Sequence, residues 1–150
     1  MAEHIFACDD ASLDPRIKHN LPLFYAAADT PNHELWCSFL TDDVVIKKGA
    51  SEMKGKDGWT HSAVMAFRKV AKKEISESTD KSVHMLYKVF PFGVGALEVM
   101  LHGRTVRQSP EGVELDGADW AARMHFREID GEVKIDLYHI YMERSLAKPQ

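Results

Sequence analysis

The carboxylate of Asp29 stands within the stretch FYAAADTPNHELW, directly after an apolar run. If this run is helical, Asp29 lies one turn after Tyr25, at the edge of the stripe that faces the core. Burying an unpaired carboxylate raises its pKa or costs several kcal/mol, so we expect Asp29 to have a partner elsewhere in the chain. Tyr25 could donate a hydrogen bond to a bound oxygen, although a tyrosine in a helical stripe more often belongs to the core.

Histidine is the side chain whose ordinary pKa, about 6.5, best suits proton transfer at neutral pH. The chain has 8 histidines, and none of them forms an HxH, HxxxH or HExxH pattern. The two cysteines, Cys8 and Cys37, are not in CxxC spacing. We therefore expect no metal site and, since GxGxxG, GxSxG and phosphate-loop motifs are also lacking, no cofactor. Taken alone, His84 in SVHML fits a core or surface histidine, and Asp29 fits a residue that caps a turn.

Three further cationic side chains could stabilise an enolate or a similar oxyanion, namely Lys48, His102 and Arg104. Strand alternation places His102 and Arg104 on one face together with Glu98 and Met100. The alternative for that face is a solvated outer surface with cross-strand ion pairs.

The run DWAARMHFREI predicts a strand with one apolar face, which we expect to line a pocket; its members are Trp120, Ala122, Met124 and Phe126. The opposite, polar face would meet solvent or a second subunit. In EVKIDLYHIYME neither face is decisively apolar, so we expect both to be covered, one by the helices and one by a partner subunit, which favours a homodimer. Tyr138 and His139 are secondary candidates there.

The order of elements predicts an α+β fold. A helix runs from Pro15 to about Asp29, a second covers HELWCSFL, a strand covers DDVVIKKG, and a third helix covers WTHSAVMAFRKVAKK. Four long strand-like runs separated by turn residues then predict an antiparallel meander. Long antiparallel strands must twist and bend, and a bent sheet wrapped on three helices encloses a cavity.

Length and composition limit the number of domains and the kinds of partner that we expect. A chain of 150 residues with 45% hydrophobic content predicts one domain over residues 1–150, with residues 1–12 as a loose arm. The net charge of -4, without a basic stripe, argues against nucleic acid as a partner. No apolar run approaches the ~18 residues of a membrane span, and the N-terminus is not a signal peptide, so we expect a cytoplasmic protein with a small-molecule substrate.

The segments AAADTPNHELWCSFLTDD, MKGKDGW and FREIDGEVKI, in this order of elements, resemble the SnoaL-like branch of the nuclear transport factor two-like superfamily over nearly the whole chain. Within that superfamily the spacing is most similar to the scytalone dehydratase-like enzymes. The resemblance implies a cone-shaped α+β barrel in which three N-terminal helices pack on a curved, mainly antiparallel sheet. It also implies a catalytic dyad of Asp29, which ends the first helix, and His84, which opens the first strand of the meander.

Other pocket positions depart from the family pattern. The resemblance places Lys48 where those enzymes have a tyrosine, and Trp120 and Ala122 where they have small polar residues. The position of a second pocket histidine falls on His102 or Arg104. These differences leave the substrate open while keeping a general acid and base.

The resemblance implies a cofactor-independent isomerase, cyclase or dehydratase that acts on a polyketide or terpenoid intermediate, with Asp29 orienting His84 as general acid and base. One alternative is a non-catalytic ligand-binding or dimerisation module of the same fold. Another is an epoxide hydrolase, which in related proteins uses an Asp-Arg-Asp set that the sequence alone does not locate.

Overall fold

The computed structural model describes residues 6–49, 51–54 and 81–142. The third helix, predicted over residues 59–73, lies outside these described residues. The same holds for the MKGKDGW turn, except for its first two residues, Met53 and Lys54.

Two described helices come first in the chain. Helix α1, Pro15–Ala28, begins where the Asp14 side chain accepts a hydrogen bond from the Arg16 N–H, and Pro15 occupies a first-turn position that needs no N–H donor. The helix continues through Pro22 and buries one apolar face. Helix α2, His33–Cys37, is capped by Asn32, whose side chain accepts from the Leu35 N–H.

The strands form a six-stranded sheet in the order β2-β1-β6-β5-β4-β3. Their bounds are Leu40–Lys48 for β1, Ser51–Lys54 for β2, Lys81–Pro91 for β3, Glu98–Gln108 for β4, Glu114–Ile129 for β5 and Glu132–Met142 for β6. β3 to β6 pair as the predicted antiparallel meander, and β1 joins the other side of β6 in parallel. The fold is α+β, as predicted.

The inner face of the sheet packs against the helices in one hydrophobic cluster. The predicted apolar face of β5 points inward and belongs to the core, since Trp120, Ala122, Met124 and Phe126 are each at most 3% exposed. Strict alternation fails in β6, because a β-bulge at Asp136 shifts the register. Val133 and Ile135 point inward before the bulge, and Tyr138 points inward after it. The sequence run therefore had no single apolar face.

The N-terminal arm is attached to the sheet where the structure describes it, which corrects the expectation of a loose segment. The Ala7 N–H donates to the Tyr87 carbonyl at 2.9 Å, and the Val89 N–H donates to the Ala7 carbonyl at 3.0 Å. Leu13 is buried in the core. These bonds satisfy part of the free edge of β3, which the sequence pattern did not reveal. Among the described residues, no helix is long and apolar enough to cross a membrane.

Candidate active site

Asp29 and His84 meet at the end of α1. The His84 Nδ1 lies 2.5 Å from the Asp29 Oδ1, although the two residues are 55 positions apart in the chain. Their side chains are 19% and 23% exposed, so both are largely withdrawn from water but remain reachable. The partner that the position of Asp29 called for is therefore an imidazole.

Two different elements hold this pair in place. Asp29 is the C-cap of α1, and its own backbone N–H bonds back to the Tyr25 and Ala26 carbonyls. His84 lies in β3, one of the two edge strands of the described sheet. Its backbone N–H donates to both carboxylate oxygens of Asp29, at 3.0 and 3.1 Å. The carboxylate thus fixes the main chain and the ring of the same residue.

This geometry determines the tautomer of the neutral imidazole. A carboxylate only accepts hydrogen bonds, so the proton lies on Nδ1 of His84 and donates to Asp29. The lone pair is then on Nε2, which is free to accept a proton from a ligand. The carboxylate also stabilises the imidazolium that forms once that proton has been taken.

Aromatic side chains surround the dyad on its inner side. The Tyr25 ring lies 5.8 Å from the His84 ring and stacks on Trp120, with 5.2 Å between centroids. The hydroxyls of Tyr25 and Tyr138 are 2.9 Å apart and buried. Burial raises the pKa of Tyr138, and it raises the pKa of Tyr25 well above its ordinary value, so both hydroxyls stay protonated at neutral pH.

The tyrosine pair makes one prediction about stability. Tyr25→Phe or Tyr138→Phe alone leaves a buried hydroxyl without its partner, so each should lower the free energy of unfolding by about 1–3 kcal/mol. The double variant removes both hydroxyls and should lose clearly less than the sum of the single losses. Urea denaturation of the four proteins measures this, and strictly additive losses would contradict the coupling.

The predicted pocket residues of the inner face differ in their distance from the dyad. Tyr25, Trp120 and Tyr138 lie in the aromatic cluster beside it. Ala122 and Met124 are buried further along β5, opposite Leu101 and Val99 of β4. Lys48 is exposed at the end of β1, on the same side of the strand as the buried Ile46.

The prediction that His102 or Arg104 enters the pocket is wrong, because both lie on the outer face of β4. Arg104 donates to Asp119 at 3.0 Å and to Glu114 at 2.8 Å. His102 is exposed, with its ring 5.6 Å from that of Tyr87. The solvated face with ion pairs was the correct alternative. The inner face of β4 instead carries Val99, Leu101, Gly103 and Thr105.

Thr105 is the residue that sequence reasoning missed. It is the direct cross-strand partner of His84, and on β4 it shares the inner face with Leu101 and Gly103. The signal was present in the alternation of VMLHGRT, where the apolar set ends in a hydroxyl. Among the described residues, no group of three or more His, Cys, Asp or Glu side chains is placed to hold a metal ion.

Comparisons with known proteins define the fold. Neither a protein-family model nor a curated protein sequence matches the chain. Many solved structures do. ActVI-ORFA from Streptomyces coelicolor superposes with a TM-score of 0.71 at 10% identity, covering 87% of this chain and 95% of that one.

Two other structures agree with this similarity. An NTF2-like protein of unknown function from Pseudomonas putida KT2440 has a TM-score of 0.62 at 16% identity, covering 83% of this chain and 82% of that one. A protein from Sinorhizobium meliloti, provisionally assigned as a polyketide cyclase, has a TM-score of 0.55 at 13% identity, covering 85% of this chain and all of that one. The chain therefore shares its fold with these solved structures, one of which is named as NTF2-like, and this agrees with the resemblance drawn from the sequence.

Proposed function

We propose that the protein is a cofactor-independent isomerase, cyclase or dehydratase that acts by general acid/base catalysis on a small polyketide or terpenoid intermediate. Asp29 orients His84, and His84 transfers the proton. The observation that carries the proposal is the 2.5 Å contact between Asp29 Oδ1 and His84 Nδ1, made by two largely buried side chains.

The proposed reaction begins with proton abstraction. His84 Nε2 takes a proton from a carbon next to a carbonyl group, and the electron pair of that C–H bond passes into an enolate. The imidazolium then returns its proton. If the proton goes to another carbon, the product is an isomer; if it goes to a departing hydroxyl, water leaves and the reaction is a dehydration. Such proton transfer contributes typically ~100- to 10,000-fold to the rate.

The substrate class is supported by the lining of the site. Tyr25 and Trp120 offer flat aromatic surfaces beside the imidazole, and the inner face of β5 is apolar. A ring-shaped, largely apolar molecule suits this lining better than a highly charged one. The provisional assignment of a structural neighbour as a polyketide cyclase supports the same class.

A non-catalytic binding or dimerisation module is the second candidate. The observation that favours it is that the Asp29 carboxylate also accepts the His84 backbone N–H, which is a structural task in itself. The outer sheet face exposes Tyr87, Phe90, Met100 and Tyr141, which supports a homodimer under either candidate. The proposal retains the expected cytoplasmic location.

Epoxide hydrolysis has less support. Arg127 does lie between Asp43, at 2.9 and 3.0 Å, and Asp136, at 3.4 Å. This Asp-Arg-Asp set is on the outer face of the sheet, with Asp43 and Arg127 about half exposed. It is therefore on the opposite side of the sheet from the dyad.

The experiment that tests the proposal begins with the substrate. The gene is deleted in its own organism, the compound that accumulates is purified, and its conversion by the recombinant protein is followed in D₂O. We expect turnover without added metal or cofactor, with deuterium incorporated at the carbon that His84 deprotonates or reprotonates. An accumulated compound that the protein binds without converting would favour the non-catalytic module.

A further inference from the structure

Two buried polar atoms near the dyad have no hydrogen-bond partner among the described residues. They are the hydroxyl oxygen of Thr105 and the indole nitrogen Nε1 of Trp120. Leaving a buried donor unpaired is unfavourable, and native proteins seldom keep such groups without a reason. Neither atom takes part in the proton transfer proposed above.

Both residues lie on the same inner face of the sheet as His84. Thr105 pairs directly with His84, so their side chains are cross-strand neighbours. Thr105 also pairs with Ala118, which makes Trp120, two residues further along β5, its diagonal neighbour. Diagonal neighbours on a sheet are within reach of aromatic side chains.

Gly103 explains how the indole comes towards the dyad. It pairs with Trp120, and a Cβ atom added to it would lie only 2.9 Å from Cε2, the ring atom bonded to Nε1. The indole therefore covers the space that a side chain at position 103 would take, and it leans across β4 in the direction of β3. Tyr25 stacks on the indole and holds it there.

We propose that Thr105 Oγ1 and Trp120 Nε1 together bind one uncharged oxygen atom of the ligand, a carbonyl or hydroxyl oxygen, next to the imidazole of His84. The inference rests on the proposed function, since it identifies which substrate group the site recognises. A carbonyl held by these two groups places its neighbouring carbon towards His84. As that carbon loses its proton, the two donors stabilise the charge that develops on the oxygen.

The charges around the site favour an uncharged group over a carboxylate. Asp29 is an anion in direct contact with His84. Thr105, Trp120 and the two tyrosines are neutral donors on this part of the described inner face. Arg107 follows Thr105 by two residues on the same face, and its guanidinium is paired with Asp116 at 3.1 Å. A ligand carboxylate buried here would meet the Asp29 charge, while the charge of Arg107 is already offset by Asp116.

Matched small probes test this inference without any turnover. ¹⁵N-labelled protein is titrated with acetophenone, ethylbenzene and benzoate, and the indole N–H signal of Trp120 is assigned with a Trp120→Phe variant. We expect acetophenone to bind most tightly and to move this signal downfield, and ethylbenzene to leave it nearly in place. Thr105→Val should weaken acetophenone binding by roughly five-fold, the loss of about one hydrogen bond, without changing ethylbenzene binding. Thr105→Ser should restore it.

Thr41→Val is the matched control, because Thr41 is also a threonine of the sheet with a buried hydroxyl oxygen, on the distant strand β1. It should leave the preference for acetophenone unchanged. The inference is overturned if Thr105→Val binds acetophenone as well as the wild-type protein does, if benzoate or ethylbenzene binds as tightly as acetophenone, or if none of the probes binds. These binding outcomes would reject the oxygen-binding site but not the Asp29–His84 dyad. Normal turnover in His84→Ala would instead reject the proposed function, and it would not change the result of the titration.

Discussion

His84→Ala should lower kcat for the accumulated compound by about 100- to 10,000-fold while the protein remains folded. The variant removes the only group that the proposed mechanism uses to take and return the proton. The side chain is partly exposed and lies at the sheet edge, so its loss leaves little buried cavity. Circular dichroism and urea denaturation verify folding, and steady-state kinetics give kcat and KM separately.

Asp29→Asn belongs to the same prediction and tests orientation. The asparagine carries no charge to stabilise the imidazolium, and in one of its two orientations its NH₂ group takes the Oδ1 position that faces Nδ1. An NH₂ group donates, which moves the imidazole proton to Nε2 and leaves no lone pair for the substrate. We expect a loss of at least about 100-fold in kcat with a smaller change in KM.

His102→Ala is the control for both variants, because it removes an exposed histidine from the outer face of the neighbouring strand. It should keep normal activity. If His84→Ala and Asp29→Asn were as active as the wild-type protein, the dyad would be rejected and the second candidate function preferred.

Gly103→Ala should be the most damaging single-methyl change in the described part of the sheet. Its Cβ would lie 2.3 Å from the Met85 carbonyl oxygen and 2.4 Å from an indole carbon of Trp120. The first contact is with backbone of the adjacent strand, which cannot rotate away. Overpacking typically costs about 1–3 kcal/mol, and we expect the upper end of that range or more, measured by urea denaturation.

Gly93→Ala is the control, since nothing lies within 4 Å of the Cβ position there and the backbone is not left-handed. It should change the free energy of unfolding by less than about 0.5 kcal/mol. Trp120→Ala should not rescue Gly103→Ala fully, because the carbonyl contact remains. Equal stability of the two glycine variants would show that the strands separate more easily than their pairing indicates.

Much of the fold could be predicted from the sequence, because it depends on local sequence patterns. Turn residues and β-branched runs located β3 to β6, and the run DWAARMHFREI lies entirely within β5. The cap at Asp14 and Pro15 located the start of α1. The bulge at Asp136 could not be predicted from the sequence. One extra residue reverses the alternation of inward and outward side chains, and the position of this residue depends on how β6 pairs with β5. The attachment of Ala7 to β3 is likewise a long-range contact without a local signal.

The candidate site was predicted only in part for the same reason. Composition and periodicity marked Asp29 as a residue that needs a partner, but only the family resemblance connected it with His84. Alternation correctly grouped His102 with Arg104, yet it does not say which face of a strand is the inner one. The choice of the wrong face also hid Thr105, whose neighbours are the small and apolar residues of β4.

Asp29 has one more consequence, through its bonds to the backbone of His84. The outer strand of an open sheet presents unpaired N–H groups to which a foreign strand can add, and this is a common route to aggregation. Here the same carboxylate that holds the imidazole also occupies the N–H of residue 84 at that border. A variant without Asp29 would leave this N–H unpaired and open to pairing with a strand of a second molecule. Asp29 therefore protects this sheet edge as well as orienting the imidazole.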